Sequence, residues 1–165
     1  AGTNGDAEAA TLREELKKKE AEFREFRVQE YDRRVRAHPT DYELKLQYGR
    51  VLMDAEKYDD AIGQFQKAVK DPKFKVSSHL LIGKCFEYKT LYDLAESEFA
   101  KALDGVSDPD SEVAKEIRYN LGFVAEKKGD RPKALKWYQE IMSVDISYRD
   151  VSARVGHLMK NGGGS

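Results

Sequence analysis

Three glycine–alanine pairs govern what this chain can fold into. Gly49 is followed twelve residues later by Ala61, Gly83 by Ala95 and Gly122 by Ala134. An aromatic stands four residues after each alanine (Phe65, Phe99, Tyr138), and Ala68, Ala102 and Ile141 come three residues beyond. The glycines lie 34 and 39 residues apart. A period near 34 in a helical sequence signals stacked two-helix units, because one pair cannot bury its apolar face alone. A glycine inside a helix costs roughly 1 kcal/mol relative to alanine, so three at corresponding positions imply a packing reason each time. Small residues let antiparallel helices approach closely. The aromatics lie one turn after the alanines on the same face and are expected to fill the space between one pair and the next.

Composition narrows the class. A chain of 165 residues can bury one real core. With 36% charged and 40% apolar residues and four prolines, it suits a soluble helical domain better than a disordered one. A net charge of −1 gives no electrostatic reason to expect nucleic acid or an anionic membrane. No apolar run approaches the length of a membrane span, and neither end reads as a signal peptide. The one cysteine, Cys85, permits no intrachain disulfide and falls in a helical apolar pattern. It reads as a packed core thiol, which suits a reducing, cytoplasmic setting. The ends, residues 1–5 and 161–165, read as flexible edges, compatible with a longer natural chain.

In chain order, residues 6–37 lack proline and glycine and are dense in Glu, Lys and Arg, which predicts one long helix. Leu12 and Leu16 stand isolated in its first half; Phe23, Phe26, Val28, Tyr31 and Val35 crowd the second. The second half is expected to pack on a neighbour and the first to project into solvent. Lys19 interrupts a short heptad-like seam along 12, 16, 23 and 26. The helix should end before His38-Pro39. Thr40 or Asp41 then caps a helix to about Ala55, followed by helices at about 58–70, 75–89 and 92–103. Asp108-Pro109 predicts the start of a long helix to about Lys128. Gly129 is placed to end it and Asp130 to cap the next, 131–143. A last helix is expected over 147–159, with Tyr148, Val151, Val155 and Leu158 on one stripe.

The segments YGRVLMDAEKYDDAIGQFQKAV, IGKCFEYKTLYDLAESEFAKAL and LGFVAEKKGDRPKALKWYQEIM resemble the tetratricopeptide repeat family. They cover about 100 residues in register. Glu56 and Thr90 stand at turn positions where the family usually has the glycine seen here as Gly129. Ile141 replaces a small residue, and 104–109 is an insertion. The closing VDISYRDVSARV resembles the end of some bacterial members. The resemblance implies an all-α fold, a right-handed α-solenoid of antiparallel helix pairs. It also implies a division into a charged helix ending in a partial repeat (6–40), three repeats (41–145) and a C-terminal capping helix (146–160).

The same resemblance implies a concave groove, lined by the first helix of each pair, that binds a peptide or protein. Helical phase assigns to it Leu46, Arg50 and Met53 from the first pair. From the second come Leu80, Lys84, Glu87 and Tyr88, and from the third Tyr119, Asn120, Phe123, Glu126 and Lys127. Leu46, Leu80 and Phe123 could equally pack between adjacent first helices. One subgroup of the family grips a chaperone's C-terminal carboxylate. The corresponding residues here are mostly Leu46, Arg50, Leu81 and Glu116, and only Asn120 matches, so that clamp is not expected.

Nothing in the sequence points to an enzyme, a metal or a cofactor. There is no HExxH, phosphate loop or nucleophile elbow. His38, His79 and His157 are far apart, and the acidic cluster Asp104, Asp108, Asp110 and Glu112 lacks the periodicity of a calcium loop. The leading expectation is a non-catalytic interaction scaffold. The alternative is an assembly module that self-associates through Leu12, Leu16, Phe23 and Phe26.

Overall fold

The computed structural model describes residues 3–160. The expected edges at 1–2 and 161–165 lie outside the described residues. Those described form eight α-helices and no strand. They are α1 (Thr3–Ala37), α2 (Tyr42–Asp54), α3 (Tyr58–Ala68), α4 (Lys75–Tyr88), α5 (Tyr92–Asp104), α6 (Glu112–Lys127), α7 (Arg131–Val144) and α8 (Val151–Lys160), with a 3₁₀ turn at Pro72–Phe74. Each helix packs chiefly on its neighbours in sequence, as in a stack. Three hairpins result: α2–α3, α4–α5 and α6–α7.

The 35 residues of α1 span about 50 Å at 1.5 Å per residue. Residues 10–26 are exposed throughout, and Val28 is the first fully buried side chain. Tyr31 and Val35 join it against α2. The helix takes in Thr3–Gly5, which sequence placed in the flexible edge. One glycine in the first turn, at about 1 kcal/mol, is too weak a breaker to stop it.

Three other expectations need correction. α6 starts at Glu112, because Asp108 makes a turn instead of a cap. Its carboxylate accepts the Asp110 N–H at 3.0 Å and its carbonyl accepts the Ser111 hydroxyl at 2.7 Å. Ser111 then caps the helix, accepting the Ala114 N–H at 3.2 Å. α8 starts at Val151, because the Asp145 carboxylate takes the N–H and hydroxyl of Ser147 (3.1 and 2.8 Å) and Arg149 sits at φ 46°. A left-handed residue cannot continue a right-handed helix.

The third correction concerns the aromatics. A Cβ built on Gly49 would come within 2.3 Å of the Phe65 ring, on Gly83 within 2.5 Å of Phe99, and on Gly122 within 2.6 Å of Tyr138. Each aromatic therefore seats on the glycine of its own hairpin. The alanines Ala61, Ala95 and Ala134 are fully buried beside them.

The three hairpin turns are built alike. Glu56, Thr90 and Gly129 adopt φ of 59°, 59° and 76°. In each turn that residue's N–H returns to the carbonyl three back, and the next N–H to the carbonyl five back: Lys57 to Leu52 (2.8 Å), Leu91 to Phe86 (2.9 Å), Asp130 to Ala125 (2.9 Å). This is the Schellman arrangement. A lysine beside each turn reaches back to the helix that precedes its own hairpin. Lys57 bonds Glu25 at 2.9 Å, Lys89 bonds Asp59, and Lys128 bonds Asp93 and Glu96 at 2.6 Å each. Cys85 is buried in the core, and burial pushes its thiol up to about 12.

Candidate interaction groove

The first helices α2, α4 and α6 carry every residue assigned to the groove. Their exposure divides that set. Leu46 and Leu80 are buried in the core between helices, and Asn120 is 7% exposed. Arg50, Tyr88 and Lys127 are exposed; Met53, Lys84, Glu87, Tyr119, Phe123 and Glu126 are half-buried. Tyr88 stacks on Tyr58 of the preceding hairpin, with ring centroids 5.4 Å apart.

α4 and α6 are joined by an ion pair between Lys84 and Glu116. One helical turn further along both helices the pairing stops. The Glu87 Oε2 and the Asn120 Nδ2 are buried and have no hydrogen-bond partner. Burial pushes the Glu87 carboxyl above its ordinary range, against the pull of Lys84 and Lys127. An acceptor and a donor thus stand desolvated on adjacent helices.

At the third hairpin the face assigned to the groove is already engaged by α8, a contact the sequence did not reveal. Arg154 donates to Glu126 at 3.0 Å, to the Tyr119 hydroxyl at 3.0 Å and to Asp150 at 3.1 Å. Its guanidinium lies 5.4 Å from the centroid of Tyr119 and 5.6 Å from that of Phe123. The Tyr119 hydroxyl donates to Asp150 at 2.7 Å. Burial pushes the Asp150 carboxyl up, but Tyr119 and Arg154 outweigh it and hold it below the usual range. Tyr119, Phe123 and Glu126 are therefore brought together, yet around an internal cation. The repeat period could have flagged Arg154, since it lies 35 residues after Tyr119.

Among the described residues, no three or more His, Cys, Asp or Glu side chains are grouped to hold a metal ion. His79 is bonded to Glu98 at 2.7 Å. No helix among the described residues is long and apolar enough to cross a membrane.

No family model matches the sequence, and no curated protein matches it. Solved structures do. A structure of MamA superposes with a TM-score of 0.70 at 21% identity, covering 81% of this chain and 75% of that one. A second MamA structure gives 0.71 at 20%, covering 87% and 76%. YrrB, described as a TPR protein with an unusual peptide-binding site, gives 0.66 at 18%, covering 81% and 66%. The architecture is a helical-repeat solenoid. Its fold is that of the tetratricopeptide repeat proteins.

Proposed function

We propose that this chain is a non-catalytic interaction scaffold that binds a peptide or protein segment along the face of α2, α4 and α6. The observation that carries this reading is the unpartnered pair Glu87 Oε2 and Asn120 Nδ2. Leaving a buried polar group unsatisfied costs about 1–3 kcal/mol, and the main chain of a bound segment offers the donor and acceptor they lack. Arg50, Lys84, Tyr88 and Lys127 would flank that segment. In this reading 41–145 are the binding repeats, while 6–40 and 146–160 close the ends. The YrrB likeness supports a peptide ligand by analogy only. The lone Cys85 thiol supports a reducing, cytoplasmic compartment.

Display of random peptides on the full chain tests the proposal. Selected peptides should bind Asn120→Ala and Glu87→Ala at least tenfold more weakly than the parent, with helicity unchanged. Peptides that bind the variants as tightly as the parent would remove the groove assignment.

A second reading rests on a different observation. Leu12, Leu16, Phe23 and Phe26 are 58–62% exposed on α1, and all four could pair with a second copy. For Phe23 and Phe26 this is contrary to the packing expected of the second half, because burial against the neighbour begins only at Val28. Light scattering of the full chain, beside a variant with all four changed to Gln, decides it. A monomer in both cases removes this reading.

A further inference from the structure

Lys45 and Lys115 are buried to nearly the same degree, at 8% and 7% exposed, but only one has a counter-ion. Lys115 sits against the Tyr148 ring and is held by Glu112 and Asp145. Lys45 sits 4.7 Å from the centroid of the Tyr42 ring and donates to the Pro39 carbonyl, with no carboxylate. A buried cation ordinarily has an anionic partner. Lys45 opens instead onto a cleft of about 530 Å³, lined also by Val35, Arg36, Lys67 and Lys70. The lining thus holds four cationic side chains and no anionic one.

Local neutralisation does not account for them. Arg36 bonds Asp32 at 2.8 Å, outside the lining. Lys67 and Lys70 have no ion pair among the described residues. Asp41 caps α2, Asp71 caps the 3₁₀ turn, and Glu43 faces Lys73. The C-termini of α1 and α3 each contribute about half a negative charge. Together with Asp32 these offset about two of the four positive charges.

We propose that this cleft binds an oxyanion of the phosphate class, with Lys45 as the buried contact and Arg36, Lys67 and Lys70 around it. Arg36 keeps guanidinium donors beyond the one facing Asp32, and each lysine can direct ammonium protons to phosphate oxygens. The cleft shares no residue with the groove, so the two proposals stand or fall separately.

The test is amide NMR of the full chain, titrated with sodium phosphate and with sodium chloride at matched ionic strength. Saturable shifts at Tyr42, Lys45, Lys67 and Lys70 should follow phosphate alone. They should vanish in the exposed double variant Lys67→Glu/Lys70→Glu, and Lys45→Met should abolish them through a residue of similar volume. Equal responses to both salts, or a phosphate response that survives the double variant, would overturn the site. A phosphoserine pentapeptide and its serine counterpart identify the source. Saturation by the phosphopeptide at tenfold lower concentration than phosphate marks a phosphorylated protein segment. Saturation at equal concentration marks a free anion.

Discussion

Phe65 fills the space that a side chain at Gly49 would need, with the ring 2.3 Å from where a Cβ would stand. The glycine and the aromatic are sixteen residues apart and close one hairpin between them. The same lock is formed by Gly83 with Phe99 and by Gly122 with Tyr138. A ring fully buried in a packed core cannot swing aside freely, so the missing methyl group is a requirement of shape.

Gly83→Ala should therefore destabilise the chain by about 1–3 kcal/mol, the usual cost of overpacking. Gly63 is also inside a helix, but its Cβ would meet nothing within 4 Å. Gly63→Ala should stabilise by about 0.5–1 kcal/mol through helix propensity. Urea unfolding of the two variants beside the parent reads both signs in one experiment.

The left-handed turn residues give a second expectation. Glu56 and Thr90 hold φ of 59° without being glycine, a conformation that disfavours residues with a Cβ and β-branched ones most. Thr90→Gly should gain about 1 kcal/mol and Glu56→Gly somewhat less, while Gly129→Ala should lose about 1 kcal/mol. Thermal melts of the three variants check the order.

Glu87 should make stability depend on pH in an unusual direction. Its folded carboxyl lies above the ordinary value because it is buried. The penalty for its charge is absent below the unfolded pKa of about 4.3 and appears as pH rises through the folded pKa. Glu87→Gln should therefore stabilise the chain at pH 7, with the gain vanishing below about pH 4. Asp150 works the other way: its folded pKa is depressed, so its contribution is present above about pH 4 and lost on acidification through the folded value. Denaturant midpoints for parent and Glu87→Gln across pH 3.5–7.5 would contradict this if the gain stayed constant.

Arg154 holds α8 to α6. Arg154→Ala removes charge-assisted bonds to Glu126 and Asp150 and should cost about 1.5–3 kcal/mol. Arg154→Lys keeps the charge but loses the planar fork and should recover only part of the loss. Hydrogen exchange should show faster opening of 151–160 in both variants, while α4 and α5 keep their protection.

Much of the fold was legible because its determinants repeat. The glycine, alanine and aromatic of each hairpin stand at fixed offsets, so the helix pairs and the small-residue crossings follow from spacing. The direction in which the aromatics pack did not follow, since Phe65 could fill space within its hairpin or beyond it and helical phase is the same for both. Asp108-Pro109 is ambiguous for a related reason: a carboxylate before proline serves a turn as well as a helix cap. Among the groove candidates, spacing put Leu46 and Leu80 on the first helices of their hairpins, but only packing shows them buried. Lys45 was invisible as a site residue, and for Arg154 the repeat period was the one signal. A lysine or arginine in a charged sequence looks solvated until its neighbours in space are known.

The lysines beside the turns have a mechanical consequence. Lys57, Lys89 and Lys128 tie each hairpin to the helix behind it along one edge, whereas the glycine–aromatic locks close within hairpins. Ionic strength screens the first kind of contact over about 8 Å at physiological salt and leaves the second untouched. Beneath those ties each joint is also packed by buried apolar side chains, so salt would loosen one edge of the stack without unlocking its fold.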